Sequence, residues 1–335
     1  MVVISLLLSG CALDKNAQDT RWLVVATSQE IADSGLPAAI TPAFETAQQV
    51  RVKWLTVSSC QALNYISRDS RIDVLLVSSG DQLDKAVGLD YDFCKPTLAQ
   101  TPNAKAGSVA GPAPTLLPFD APLITPTLVP TMVAGAHPLP TPTALDVKYL
   151  LAERHTVFWS PLVLVGPTAD PLHLAGAAYI AKALRSLATQ NGSFLVAGQE
   201  PGIVDLEEAW WKQVGMSEAT LRGSHYRVLD SDAQATLTAA ENSQSYTIVP
   251  LSIYLTFHQS DKSNIIFNKD ISMYLPYETL VHNSTRCNSC DLQLARQFTN
   301  YLDQSQTQGL ILSLGQRQFK IAFFLPPYLQ VYRPR

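Results

Sequence analysis

The sequence is poor in charge and has no excess of positive charge. Only 16% of its 335 residues are Asp, Glu, Lys or Arg, and the formal net charge is −4. It contains no long basic run, so nothing indicates a nucleic-acid partner. After the N-terminus no run of 18 or more apolar residues occurs, so no membrane-spanning helix is predicted. The apolar share of 47% is typical of a globular protein.

Signals of catalysis and of metal binding are also missing. The six histidines are scattered, with no pair four residues apart and no Cys/His spacing of the kind that zinc sites use. There is neither a nucleophile elbow nor a glycine-rich phosphate loop in the sequence. We therefore expect no enzymatic activity, no cofactor and no metal site.

The N-terminus carries a targeting signal. A short apolar segment ends in Leu8-Ser9-Gly10-Cys11 and looks like a bacterial lipoprotein signal, in which the cysteine becomes lipidated. The alternative is a secretory signal with an incidental cysteine. No Lys or Arg precedes the apolar segment, which predicts a start codon further upstream. We expect a signal over 1–11, a polar tether over 12–20, and an extracytoplasmic, membrane-anchored monomer.

Four further cysteines follow Cys11, and outside the cytoplasm they are expected to form disulfides. They permit three pairings. The interpretation that we favour is a local bridge between Cys287 and Cys290, with Cys60 and Cys94 as the second pair. A redox-active Cys287–Cys290 pair is the alternative, although no thioredoxin-like pattern surrounds it.

Strand-like and helix-like segments alternate along the first quarter of the chain. Strand patterns occur at 22–26, 50–57 and 72–78, and between the first two of them Leu36, Ile40 and Phe44 recur at helical spacing. This βαβαβ alternation predicts a parallel sheet with helices on its faces.

The composition changes abruptly after residue 95, and the alternation of strand-like and helix-like segments resumes after residue 150. Residues 96–150 form a Pro/Thr-rich insert, with eleven of the 22 prolines lying between Pro96 and Pro142. Proline at this density excludes helices and inner strands, so an extended surface segment or linker is expected. We predict an α/β protein with two lobes and a ligand cleft between them: lobe 1 over 21–95 and 257–335, and lobe 2 over 157–256 with crossings near 157–166 and 246–255.

Several motifs resemble the tungstate-binding receptors of ABC transporters, and they occur in the same order. The resemblance begins with Ala26-Thr27-Ser28 and Asp33-Ser34-Gly35-Leu36, and spans roughly 22–95 and 154–327. Its other motifs are Ser58-Ser59-Cys60-Gln61-Ala62-Leu63, Asp73-Val74-Leu75-Leu76-Val77, Leu162-Val163-Leu164-Val165-Gly166-Pro167, Asp170-Pro171, Ala235-Thr236-Leu237 and Tyr246-Thr247-Ile248. The resemblance implies a type II periplasmic-binding-protein fold, an ABC permease as partner, and a small molecule or ion as ligand.

The resemblance also implies where a ligand would bind. The ligand-binding residues that we predict on this basis are Thr27, Ser28, Gln29, Ser58 and Ser59 in the first lobe, and Gln199 and Glu200 in the second. Two departures from the family pattern concern the second lobe, where Ala197 stands in place of an arginine and Ile203 in place of a threonine. Tight binding of a doubly charged oxyanion is therefore not expected.

Glu30 has two interpretations. Its carboxylate either caps the N-terminus of the helix that follows the first strand, where the family has a guest anion, or points to solvent. Two functions are left open accordingly. The first is a lipid-anchored solute receptor of an ABC importer with an altered ligand, and the second is a surface interaction or sensory lipoprotein on the same fold.

Overall fold

The structure is a computed structural model that describes residues 21–58, 61–62, 71–78, 151–221, 225–259, 261–282 and 289–327. Apart from Cys290, every cysteine and every residue of the Pro/Thr-rich insert lies outside these ranges. The strands are β1 (Trp22–Thr27), β2 (Arg51–Thr56), β3 (Val74–Ser78), β4 (Leu151–Pro167), β5 (Phe194–Ala197), β6 (Tyr226–Leu229), β7 (Tyr246–Pro250), β8 (Ser263–Phe267) and β9 (Tyr274–His282).

Ten α-helices lie within the described ranges, together with a short 3-10 turn at Leu174–Gly176. They are α1 (Gln29–Asp33), α2 (Leu36–Gln48), α3 (Ile180–Thr189), α4 (Pro201–Gln213), α5 (Glu218–Leu221), α6 (Ala233–Ser243), α7 (Leu251–Phe257), α8 (Leu292–Leu302), α9 (Ser305–Ser313) and α10 (Gln316–Phe319). None of these helices is long and apolar enough to span a bilayer.

The strands pair in the order β2-β1-β3-β9-β4-β7-β5-β6, and β8 pairs with β4 at one side. Strands β1, β2 and β3 are parallel to one another, and so are β5, β6 and β7. The two parallel groups are the two α/β halves of the molecule. Strand β9 runs antiparallel to β3 and to β4, and it therefore ties the C-terminal part of the chain to the first half.

Strand β4 connects the two halves. Its first part pairs with β9 from Leu151 to Pro161, and its last part pairs with β7 and β8 from Leu162 to Pro167. The strand predicted at 157–166 is therefore the C-terminal part of a longer one. Because β8 pairs with the last part of β4, we propose that the chain returns to the first half at 268–273, later than the predicted crossing at 246–255. The boundaries of the lobes remain a prediction.

The first half folds as its periodicity predicts. Leu36, Ile40 and Phe44 are the buried residues of α2, and Phe44 packs edge-on against Phe298 of α8 at a centroid distance of 5.1 Å. Gly35 adopts a φ of +82°, which a residue with a side chain rarely tolerates, and this allows the sharp turn between α1 and α2. The helices of the C-terminal segment thus cover the same face of the sheet as α2.

Strands β1 and β3 are covered on both faces. Leu23, Val25 and Leu76 belong to the main core, whereas Val24 and Leu75 belong to a smaller cluster on the opposite face. A strand buried on both sides needs a continuous apolar run, and all five residues of β3 are buried. The run ends at polar residues, which brings polar groups to the carboxyl edge of the sheet.

Candidate functional site

The predicted site residues follow the carboxyl ends of parallel strands in both halves of the molecule. Thr27 ends β1, Ser58 lies two residues beyond β2, and Glu200 lies three residues beyond β5. In open α/β sheets this edge is where ligands bind. Helix α4, which begins directly after Glu200, contacts β3 and β9 of the first half, so the two halves meet here.

Thr27 and Ser28 are fully buried, and their hydroxyl groups have partners within the protein. Thr27 Oγ1 donates a hydrogen bond of 2.8 Å to the carbonyl oxygen of Leu76 on β3. Ser28 Oγ lies 3.3 Å from the hydroxyl of Tyr277 on β9. Thr27 therefore joins two strands, whereas Ser28 faces the polar interior between the halves.

The other predicted residues of the first half also make local hydrogen bonds. Ser58 Oγ accepts from the backbone N–H of Gln61 at 3.1 Å, and Gln61 Oε1 accepts from the N–H of Ser58 at 3.3 Å, which is a reciprocal capping box at a helix start. Gln29 Nε2 donates to the carboxylate of Asp33 at 2.9 Å. Ser59 lies outside the described residues.

In the second half, Gln199 and Glu200 behave differently. Gln199 Nε2 donates to Asp230 at 2.9 Å, so its amide is engaged at the surface. Glu200 is only 4% exposed, yet its carboxyl group makes no hydrogen bond to any described residue. Burial, with Glu30 and Asp232 nearby, raises the pKa of Glu200 to about 8. Ala197, where the family pattern has an arginine, is fully buried at the end of β5.

Glu30 is the most densely hydrogen-bonded side chain of this region. Its Oε1 accepts from the hydroxyls of Ser160 and Ser252, each at 2.7 Å, and its Oε2 accepts from the hydroxyl of Tyr277. These partners come from β4, from the first turn of α7, and from β9. One carboxylate therefore joins α1 of the first half to α7 of the second.

Of the two interpretations of Glu30 drawn from the sequence, the one that points it to solvent is wrong, and the hydrogen bonds that Glu30 makes are not those of a helix cap, which the other expects. Glu30 is 4% exposed, so it does not point to solvent. Its carboxylate accepts from side-chain hydroxyls, and within the described part of the chain it makes no bond to a backbone N–H that would cap α1. Burial raises the pKa of Glu30, against the opposing effect of these three hydrogen bonds. Burial and the nearby Glu30 carboxylate also hold the pKa of Tyr277 well above its usual value.

A narrow crevice lies beside these carboxyl groups. Its empty space is about 220 Å³ and nowhere admits a water-sized sphere, so the halves are closed on each other. Among the described residues, neither a lysine nor an arginine lines it. The lining residues are Gln29, Glu30, Glu200, Asp232, Ala233, Gln234, Pro250 and Ile253. Arg154 of β4 does not belong to this lining and pairs with Glu278 of β9.

One more polar group lies next to this cluster. Ser78, the last residue of β3, is directly opposite Tyr277 on β9. Its hydroxyl is completely buried and has no hydrogen-bond partner in the described structure. An unpaired buried hydroxyl is uncommon and costs free energy, so it marks a place where a polar partner is missing.

Sequence reasoning missed Ser160, Ser252, Tyr277 and Asp232. For Ser160 a signal existed, because it is the one polar residue in the apolar run from Val157 to Val165. Asp232 ends the loop after β6 and accepts from the backbone N–H of Ala235 at 2.8 Å as the N-cap of α6. Tyr277 and Ser252 carry no local signal, since their role arises only from the folded arrangement.

A larger cavity, with about 780 Å³ of empty space, lies in the second half and contains none of the predicted site residues. Phe194, Trp211 and Tyr226 form its apolar wall. Phe194 and Tyr226 begin β5 and β6, so this cavity lies at the amino ends of the parallel strands, away from the crevice. We place the candidate site at the crevice, because the polar groups of both halves converge there.

No protein-family model matches this chain. The tungstate-binding protein TupA of Peptoclostridium acidaminophilum is 24% identical over 335 residues, which cover 97% of this chain and 95% of that protein. The structure is similar to the tungstate ABC transporter protein of Geobacter sulfurreducens, with a TM-score of 0.62, 20% identity, and coverage of 87% of this chain and 97% of that one.

A further similar structure is the tungstate-binding protein TupA of Desulfovibrio alaskensis G20, with a TM-score of 0.60 and 19% identity. The match covers 92% of this chain and 99% of that chain. These comparisons confirm the resemblance that the sequence motifs indicated. They also confirm the fold, which is the bilobal α/β fold of type II periplasmic-binding proteins.

Proposed function

We propose that this protein is the solute-binding component of an ABC importer, held outside the cytoplasm by a lipid on Cys11. Support comes from the likeness to tungstate-binding proteins along nearly the whole chain and from the lipoprotein-like segment that ends at Cys11. Its partners would be an ABC permease and the membrane surface. Cys290 is disulfide-bonded, which agrees with an extracytoplasmic location.

We further propose that the ligand site has diverged from one that takes a doubly charged oxyanion. The observation that carries this is the pair of buried carboxyl groups, Glu30 and Glu200, in a crevice whose described lining contains neither lysine nor arginine. A buried anion needs charge-assisted donors, and an uncompensated buried charge costs about 3–5 kcal/mol. At about 1.4 kcal/mol per tenfold change, tungstate affinity falls a hundredfold or more.

A neutral polar solute or a cation suits this cleft better than a dianion does. Glu200 and Asp232 offer acceptor oxygens, and the amides of Gln29 and Gln234 offer both donors and acceptors. Because the crevice is closed, a solute enters only when the two halves separate. Closure around a solute is a hinge movement of the kind that periplasmic-binding proteins make.

Calorimetry against a solute panel tests this proposal. The panel contains tungstate, molybdate, sulfate, neutral polar solutes, and small inorganic and organic cations. We expect a neutral or cationic member to bind more tightly than every oxyanion. An oxyanion that binds most tightly would disprove the diverged site.

A second function, a surface interaction or sensory lipoprotein, is favoured by one observation. The groups that would face a solute from the first half, Ser28 and Tyr277, already have partners in the closed structure. A protein of this kind would bind no member of the panel. Genes for a permease and an ATPase beside the gene for this protein would favour transport.

A further inference from the structure

The Glu30 carboxylate lies in a pocket that has the composition of an anion site. Three hydroxyls donate to it: those of Ser160, Ser252 and Tyr277. All three residues are buried, with at most 3% of their surface exposed. Hydroxyls that converge on a carboxylate away from water make strong hydrogen bonds, because the acceptor is charged and the local dielectric constant is low.

The donors are themselves arranged in a chain. Ser28 Oγ lies 3.3 Å from the Tyr277 hydroxyl, so Tyr277 can accept from Ser28 while it donates to Glu30. The unpaired hydroxyl of Ser78 lies opposite Tyr277, on the neighbouring strand. The chain of donors therefore runs from Ser28 through Tyr277 to Glu30.

The pocket also joins the two halves of the molecule. Glu30 and Tyr277 belong to the first half, whereas Ser252 lies in the first turn of α7, which follows β7 of the second half directly. Both serine bonds go to the same oxygen, Oε1. An anion at this point therefore links the halves by its charge, as a solute held between two lobes would.

We infer that Glu30 is a built-in ligand: its carboxylate fills a small-carboxylate site of the cleft and keeps the two halves closed without a solute. This inference deepens the proposed function and rests on it only for the role of the cleft in binding solute. It predicts that the site, once emptied of Glu30, takes up a free carboxylate from solution.

Chemical rescue of Glu30→Ala tests the inference. The substitution removes four heavy atoms from the side chain, and these are the heavy atoms of acetate. We expect Glu30→Ala to lower the melting temperature by several degrees, and about 100 mM sodium acetate to recover more than half of that loss in a saturable way. Formate should act likewise, whereas butyrate and uncharged acetamide should not.

Two controls separate rescue from a general salt effect. Glu30→Gln keeps the pocket filled, so acetate should leave its melting temperature unchanged relative to sodium chloride of the same ionic strength. The unaltered protein should also show no acetate effect. Equal stabilisation of Glu30→Ala and Glu30→Gln, or no stabilisation of Glu30→Ala beyond that given by chloride, would overturn the inference.

Small-angle scattering reports closure directly. Glu30→Ala should have a larger radius of gyration than the unaltered protein, and acetate should reduce it. If Glu30→Ala does not fold, Ser252→Ala provides the second arm, because it removes only the donor of the second half. That variant should keep the circular dichroism spectrum of the unaltered protein and have a larger radius of gyration. An unchanged radius for a folded Ser252→Ala would overturn the inference.

The outcomes for the two proposals are distinguishable. Acetate rescue without binding of any panel solute would support the built-in ligand and disprove the solute receptor. Suppose instead that the unaltered protein binds a panel solute tightly and that Glu30→Ala takes up no acetate. This result would support the solute receptor and disprove the built-in ligand.

Discussion

Glu30 and Glu200 line the same crevice and are equally buried, but their surroundings differ in one respect. Three hydroxyls donate to Glu30, whereas no described residue donates to Glu200. Burial raises the pKa of both carboxyl groups, and only at Glu30 do hydrogen bonds oppose the rise. The comparison teaches that the fold provides an anion position at Glu30, whereas at Glu200 it favours a protonated acid or a ligand that brings its own donor.

The largest expected effect comes from removing both carboxyl groups. At pH 9, above the pKa of Glu200, Glu30→Ser together with Glu200→Gln should raise the affinity for tungstate about a hundredfold or more, because two buried negative charges no longer face the dianion. Calorimetry measures it. The matched control is Asp33→Asn with Glu208→Gln, which removes the same two charges from α1 and α4 outside the crevice lining. An equal gain in both double variants would assign the effect to net charge alone.

Glu200→Gln should remove a pH dependence of stability. Between the ordinary pKa of 4.5 and the folded value of about 8, the folded protein holds a proton that the unfolded chain has lost. Stability from this group is therefore complete below pH 4.5 and declines as the pH rises to 8. Relative to the unaltered protein, Glu200→Gln should melt about 5 °C higher at pH 9 and show little difference at pH 5.

Glu208→Gln is the control for this pH series, since Glu208 lies on the same helix and pairs with Lys212. Its melting temperature should follow that of the unaltered protein at every pH. A Glu200→Gln variant that follows the same curve would show that Glu200 titrates like an exposed acid.

The bond from Tyr277 to Glu30 should stabilise the protein more than a bond to an uncharged acceptor. Tyr277→Phe should lower the free energy of unfolding by about 2–3 kcal/mol, because a buried carboxylate loses a donor. Tyr301→Phe should cost about 1 kcal/mol, since the Tyr301 hydroxyl donates to the carbonyl oxygen of Ile40 at 2.9 Å. Urea unfolding measures both. Equal losses would mean that Glu30 is not charged in the folded state.

The smallest effect is expected from Asp232→Asn. The amide keeps an acceptor for the N–H of Ala235, so α6 retains its cap. The negative charge near Glu200 is lost, however, and this charge contributes to the raised pKa of Glu200. The pH at which stability declines should therefore fall, by less than about one unit. An unchanged midpoint of the pH-dependent loss of stability would show that burial and Glu30 account for the whole rise in the pKa of Glu200.

The sequence predicted much of the fold and little of the chemistry of the site. Apolar periodicity identified α2 and the buried strands β1, β3 and β4, because burial on one or both faces leaves a regular pattern. Strand β6 was missed because two of its four residues, Arg227 and Val228, are exposed. Strand β8 was missed because its burial is irregular, with Asn264 exposed and Ile265 half-buried, and because it pairs at the side of the sheet.

Spacing along the sequence could not predict which residues surround Glu30, and the reason is physical. Its donors lie 130, 222 and 247 residues away along the chain, at Ser160, Ser252 and Tyr277. The resemblance located the strand ends and the loops that carry the site. It gave no information on hydroxyls from β4, α7 and β9, because these converge only when the two halves close.

Titration of the unaltered protein with tungstate tests the central claim most directly, namely that the cleft already holds its own carboxylate and does not favour a dianion. The titration is performed by calorimetry near neutral pH on protein freed of small ions by refolding. The account predicts weak binding, with a dissociation constant well above micromolar. A submicromolar dissociation constant would contradict it, and would mean that Glu30 leaves the pocket to admit the anion.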